Sequence, residues 1–352
     1  MGKIRVGIVG IGNAASTLIQ LLHLVKSGEV EGILHWDLGG YKPTDIEVVA
    51  AYDIDRRKVG KDLSEAIFSE PNNMIKLTDV PTMGVHVEMG TLKDELGFLT
   101  RQIIEPADQP PVNLHDSLKE KNVDILVNLI SGFATRSSEN YAKIAAESKV
   151  GFINCTPSII ASNHELSDQF KNNGVPVVGD DLLSQIGSTA LHKAMLEWLN
   201  NRGAKIGSTY ALDVGGNPET FGSLELRSRL IKRHIKSDTI KAATPYEFPV
   251  MAQPMDYVDF LGDQRDTVIY IQAKFIANAD ISIEVKIRVP DSLNAFNPLI
   301  DAIRVTKLAL DRGVSGALES VSAFLFKHPP KSMPLGEAEK AFWQFVKGEK
   351  AV

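Results

Sequence analysis

The chain opens on a short apolar run, residues 3–9, rich in β-branched side chains and closed by Gly10, which predicts a strand buried on both faces. Over 13–25 the apolar residues Leu18, Leu21, Leu22 and Val25 fall on one helical face. A polar, glycine-bearing stretch, 26–45, separates that helix from a second strand, 46–52, which ends at Asp53-Ile54-Asp55. The same reading predicts a helix over 57–68, a strand over 123–129, a helix around 141–148 and further buried strands at 151–154 and 175–179. Strands alternating with helices over ~180 residues predict a doubly wound parallel sheet.

The pattern changes near Lys205. Runs 209–214, 267–276 and 281–289 are β-rich and alternating; Ile281, Ile283, Val285, Ile287 and Val289 share one face, with Lys286 on the solvated side. Such runs predict a mostly antiparallel sheet. A basic helical stretch, 224–241, lies between them, and a strong helix pattern returns over 297–312 before Gly313. The expected organisation is α/β, with residues 1–206 plus 294–352 forming the parallel-sheet domain and 207–293 an inserted α+β catalytic and oligomerisation domain.

Composition narrows the function classes. At 352 residues, 43% apolar and 23% charged, the chain has the balance of a soluble globular protein with room for two domains. A net charge of -6 argues against non-specific nucleic-acid binding. No apolar run approaches the ~18 residues of a membrane span, and the N-terminus has no secretory pattern, so a cytoplasmic location is expected. With Cys155 as its single cysteine and no paired-histidine spacing, the sequence displays no disulfide framework and no metal motif.

The turn Gly10-Ile11-Gly12-Asn13-Ala14-Ala15 carries the chemistry that is easiest to read. It fits G-x-G-x-x-G/A, placed between a predicted strand and a predicted helix: a Rossmann-type dinucleotide fingerprint. The first glycine allows the tight turn, the second lets backbone N–H groups approach a pyrophosphate, and the helix N-terminus adds its dipole. Asp53 closes the next strand, placed to accept from ribose hydroxyls and to repel a 2′-phosphate, which favours NAD over NADP. The acid comes later than the usual ~20 residues after the glycines, and the 26–45 stretch accounts for the delay. Asp55 is the second candidate for the ribose. The polar stretch is also placed to help cover the cofactor.

Further segments gain meaning together. They are Ala50-Ala51-Tyr52-Asp53-Ile54-Asp55, Gly179-Asp180-Asp181-Leu182-Leu183-Ser184-Gln185-Ile186-Gly187-Ser188-Thr189, Val214-Gly215-Gly216-Asn217, Lys232 and Lys236 at i,i+4, Asp291-Ser292, and Phe326-Lys327-His328-Pro329-Pro330. Over nearly its whole length the chain resembles the myo-inositol-1-phosphate synthase family, especially its shorter prokaryotic members. The resemblance implies an isomerase that retains NAD and converts D-glucose 6-phosphate to 1D-myo-inositol 3-phosphate. The steps are oxidation at C5, enolisation, aldol closure onto C1 and reduction. It also implies a homotetramer and leaves room for an activating cation near the phosphate.

Carried over by motif, Lys232, Lys236 and Lys327 fall at the family's active-site lysines and Asp291 at its Asp-Ser acid. Ser184, Ser188 and Thr189 fall in the segment that meets phosphate and nicotinamide. Thr156 lies in the nicotinamide loop, Asp180 in the cofactor segment, and Asn217 and Glu219 beside the substrate. Three positions depart from the family pattern. Arg265 stands where a lysine is usual, and arginine keeps the charge but relays no proton. Glu219 replaces an aspartate, and Leu183 replaces a lysine. These departures keep two alternatives open: a related oxidoreductase or cyclase for another sugar phosphate, and a non-catalytic NAD-binding regulatory protein.

Overall fold

The computed structural model describes residues 2–132 and 134–349. Its first sheet contains β1 (Ile4–Val9), β2 (Ile46–Asp53), β3 (Val87–Met89), β4 (Ile125–Asn128), β5 (Gly151–Asn154) and β6 (Pro176–Val178). The second contains β7 (Lys205–Gly215), β8 (Val250–Tyr257), β9 (Gln264–Lys274) and β10 (Asp280–Pro290), and β11 (Gly316–Ala317) returns to the first. The seven strands of the first sheet are parallel, in the order β11-β6-β5-β4-β1-β2-β3. Its first six strands therefore reverse direction of travel between β1 and β4, the switch point where open α/β sheets bind ligands.

Two cores explain why these strands read as unbroken apolar runs. On one face, Ile4, Val6, Ile8 and Val127 pack against helices Asn13–Ser27 and Phe296–Asp311. On the other, Tyr52, Leu126 and Phe152 meet Leu118, Tyr141 and Phe170. Gly10 has φ +90°, and a Cβ there would lie 2.8 Å from the Ile130 nitrogen and the Leu129 carbonyl. Only glycine makes that turn without displacing the β4 loop.

The second sheet has the order β10-β9-β7-β8. β7–β9 and β9–β10 are antiparallel, whereas β7 and β8 are parallel. That pair is parallel because helix Leu226–Lys241 forms the crossover between its strands. Leu196 and Leu199 of helix Ser188–Asn201 pack with Ile240, Ile269 and Ile271 to form a separate core.

Two expectations are corrected here. Residues 57–68 are not one helix: Gly60 takes φ +87° and Asp62 caps a four-residue helix, Leu63–Ala66, through the Ser64 N–H. The 26–45 stretch does not cover the cavity described below. Helix Asn13–Ser27 carries it to the far end of the sheet, where it packs on helix Phe296–Asp311. There His35 Nδ1 lies 2.6 Å from Asp301, and Arg304, fully buried, donates to the His35 and Trp36 carbonyls at 2.7 and 3.3 Å while pairing with Asp301. Arg304→Met leaves the buried Asp301 carboxylate without its guanidinium partner. It is expected to cost about 3–5 kcal/mol in urea unfolding, and a loss below about 1 kcal/mol would show that the network does not hold this stretch.

Candidate active site

A cavity of about 330 Å³ lies between the two sheets at the carboxyl ends of β1, β2, β4 and β5. One wall is the glycine turn. Gly10, Gly12, Asn13 and Ala14 line it, and a Cβ on Gly12 would meet nothing within 4 Å, so the backbone there is open to close approach by a ligand. Ala15 is buried behind the turn in the helix–sheet core. Asp53 also lines the wall, its carboxylate accepting from the backbone N–H of Ile11 at 2.6 Å, Ile54 at 2.7 Å and Asp55 at 2.9 Å. It thereby fixes the turn while keeping an open lone pair. Asp55 also borders the cavity, but it is buried and its carboxylate is taken up by Arg57, so of the two acids after β2 Asp53 is the one with an acceptor to spare.

The opposite wall carries four cations, each with its own carboxylate. Helix Leu226–Lys241 presents Lys232 and Lys236 one turn apart on the same side; Lys232 pairs with Glu219 and Lys236 with Asp213. Arg265 on β9 meets Asp291 at 2.7 Å and Glu219 at 3.3 Å. Lys327 meets Asp181 at 2.8 Å. The environments separate these groups. Burial, reinforced by Arg265, pushes the Lys232 ammonium down to about 7. Burial works to raise the Asp213 carboxyl, but Lys236 and Arg265 override it and hold it at about 2. Burial opposes the Arg265 charge, and Asp291 and Asp213 hold it above the ordinary value.

A smaller lobe opens beside these cations, lined by Ser184, Gly187, Ser188, Thr189, Lys236, Arg265 and Lys327. Ser188 starts the 14-residue helix Ser188–Asn201, whose first N–H groups and dipole favour an anion. Leu183 also lines the lobe. Among the described residues, no group of three or more His, Cys, Asp or Glu gathers in a way that would hold a metal ion. No helix of the described residues is long and apolar enough to cross a membrane.

Residues 187–292 match the family model for myo-inositol-1-phosphate synthase. The chain is 37% identical to an inositol-3-phosphate synthase of Mycolicibacterium smegmatis, with 99% of each chain covered. It is 36% identical to the inositol-3-phosphate synthase of Mycobacterium tuberculosis CDC 1551, covering 98% of this chain and 96% of that one. The chain belongs to the myo-inositol-1-phosphate synthase family. A myo-inositol-1-phosphate synthase-related protein from Thermotoga maritima superposes with a TM-score of 0.81 at 25% identity over 98% of both chains.

Within this family frame, Thr156, Ser184, Asn217, Glu219, Lys232, Lys236, Arg265, Asp291 and Lys327 all line the main cavity. Asp180 does not. Its fully buried carboxylate accepts from the N–H groups of Ile160 and Ala161, both at 3.0 Å, Ser162 at 3.1 Å and the Asn154 amide at 2.8 Å. The next residue, Asp181, faces the cavity instead. Asn13 does more than line the turn: its amide donates to Asn73 at 2.7 Å and, 250 residues along the chain, to Asp263 at 3.0 Å.

Sequence reasoning missed Asp181, Asp213 and Asp263. Asp263 also accepts from Asn217 at 3.1 Å and from the Ser292 hydroxyl at 2.7 Å, tying the glycine turn to the wall that carries the four cations. A signal for Asp213 existed: on β7 it holds an inward position in line with Thr209, Ala211 and Gly215, where a lone acid on the buried face needs a cationic partner.

The two adjacent acids should separate in unfolding experiments. Asp180→Ala strands three backbone donors and is expected to cost about 3 kcal/mol. Asp181→Asn, with φ +59° that asparagine tolerates, keeps an acceptor oxygen toward Lys327 and strands no backbone donor, so it is expected to cost less, about 1–2 kcal/mol. Equal losses would contradict this division.

Proposed function

We propose that the chain converts D-glucose 6-phosphate to 1D-myo-inositol 3-phosphate, with NAD held at the Gly10–Ala15 turn and Asp53. The observation that carries this reading is the convergence of Lys232, Lys236, Arg265 and Lys327 on one cavity that also reaches the glycine turn. A plain dehydrogenase needs a base and a polarising group; four cations suit a substrate that carries a phosphate dianion and develops oxyanions at two carbons in turn. The open space at Gly12, the free lone pair of Asp53 and Thr156 on the adjoining wall fit a dinucleotide. When bound, NAD accepts a hydride from C5 and later returns it, so no net redox change results.

The chain's own groups supply the rest. The substrate phosphate is assigned to the smaller lobe, where Ser184, Ser188, Thr189 and the helix N-terminus meet Arg265 and Lys327. Arg265, doubly held by acids, is a fixed charge and no proton carrier. Lys232, with a pKa of about 7, is the amine suited to take the C5 hydroxyl proton and give it back on reduction. Lys236 and Lys327 face the enolate oxygen and then O1, where positive charge in a site with little water lowers the barrier. Asn217 and Asp291 hold this wall in register through their 2.8 Å contact. A homotetramer is part of the same proposal: Tyr210 and Val268, on the outer face of the second sheet, are exposed apolar residues that a partner subunit would cover.

Incubation with glucose 6-phosphate and NAD, followed by phosphorus NMR, should yield an inositol phosphate without accumulating NADH. NAD binding with no such product overturns the reading. Because neutral Lys232 acts as the base, kcat/KM should rise with pH through about 7, and Lys232→Arg should remove that limb and cut turnover at least ~100-fold. Asp53→Ala should instead weaken NAD roughly 10-fold or more, the loss of one charged hydrogen-bond acceptor. An unchanged NAD affinity would show that Asp53 serves the turn alone.

A further inference from the structure

The two helix lysines face the same cavity one turn apart, yet their counter-charges differ. Glu219, the partner of Lys232, has a side chain 45% exposed and is shared with Arg265. Its charge is partly solvated and divided between two cations. Asp213, the partner of Lys236, has a side chain only 3% exposed and stands on a strand in the middle of the second sheet. Its Oδ1 accepts from the Thr267 hydroxyl at 2.7 Å and more loosely from Ser188 at 3.4 Å, while Oδ2 takes the Lys236 ammonium. A carboxylate that only accepts, from one neighbouring strand and two helices, is an ionised carboxylate fixed in place.

We propose that Asp213 is a positioning residue that keeps Lys236 a permanent cation, so that of the two helix lysines only Lys232 exchanges a proton during turnover. This rests on the synthase reading for its catalytic meaning, though the charge state of Lys236 can be measured without turnover.

Every neighbouring charge makes the dependence sharper. Facing Lys236 are Asp213 from β7, Arg265 from β9, Lys327 from the segment after helix Glu319–Leu325, and Lys232 from its own helix. His192 approaches from helix Ser188–Asn201. Thr209 gives its hydroxyl hydrogen to the Tyr270 carbonyl, so His192 Nε2 is the donor to Thr209. Burial and Lys236 hold the imidazole neutral, with a pKa of about 4, so it adds no counter-charge. Burial and the nearby cations all lower the Lys236 pKa; Asp213 opposes them. Removing its charge would leave Lys236 among cations and a neutral ring, in a buried site where the uncharged amine is favoured. Two neutral amines would then share one helix face, and the fixed charge beside the developing oxyanion would be lost at neutral pH.

The test is competitive acetylation of the full chain with trace acetic anhydride across pH 5–11, with Lys232 and Lys236 read separately by peptide mass spectrometry. In the unmodified chain Lys236 should become reactive at a pH at least one unit above Lys232. Lys236 titrating at or below Lys232 overturns the proposal with no variant needed. In Asp213→Asn, which keeps the shape and an acceptor oxygen, the Lys236 midpoint should fall by about 1–3 units, the range for losing an adjacent opposite charge. The high-pH limb of kcat/KM should fall with it, and Asp213→Glu should restore both. A Lys236 midpoint unchanged in Asp213→Asn, with only the melting temperature lowered, would make Asp213 merely structural. If the midpoints behave as expected but glucose 6-phosphate is not turned over, the synthase reading fails and the charge assignment stands.

Discussion

The structure depends most on the balance of charge in one buried cavity. Lys232, Lys236, Arg265 and Lys327 converge within it, and burying that much positive charge without counter-charges is costly. Glu219, Asp213, Asp291 and Asp181 make the arrangement possible. These acids come from four separate parts of the chain: helix Pro218–Gly222, β7, the end of β10 and the loop after β6. Building the cavity therefore requires both sheets to be formed and docked.

The pairings also grade the cations by mobility. Lys236 is tied to an acid on a central strand and Arg265 stands on one, whereas Lys232 leans on a more exposed acid in the short helix Pro218–Gly222. The proposed reaction asks this cavity to hold a phosphate, stabilise oxyanions and move protons, and that needs fixed and labile charges side by side. Placing two lysines one helical turn apart and giving them unlike partners achieves this with little sequence.

The glycine turn and the cation-bearing wall are joined through Asp263. Asn13 on the turn and Asn217 on the wall both donate to Asp263, whose burial, with Asp291 nearby, raises its pKa while Ser292 and the two amides oppose the rise. Position along the chain contributes nothing to this contact: Asn13 and Asp263 lie 250 residues apart. The returning helix Phe296–Asp311 packs against the first strand and locks the 28–42 segment beneath the sheet through Arg304 and Asp301.

The sequence by itself determined the parallel sheet, the glycine turn and its acid, the β-rich second sheet and the lysine pair. Each of these rests on local order: apolar runs of strand length, a φ that only glycine tolerates at Gly10, and i,i+4 spacing on a helix. It misread 57–68, where Gly60 and the Asp62 cap outweigh apolar spacing, and it placed the 26–45 stretch over the cavity when helix length carries it to the opposite end. Tertiary structure alone decided which of Asp180 and Asp181 faces the cavity, because a one-residue step at a strand end reverses a side chain's direction. It alone also paired each cation with its acid, since those pairs join residues from different elements and a charge in a buried site is set by what folds against it.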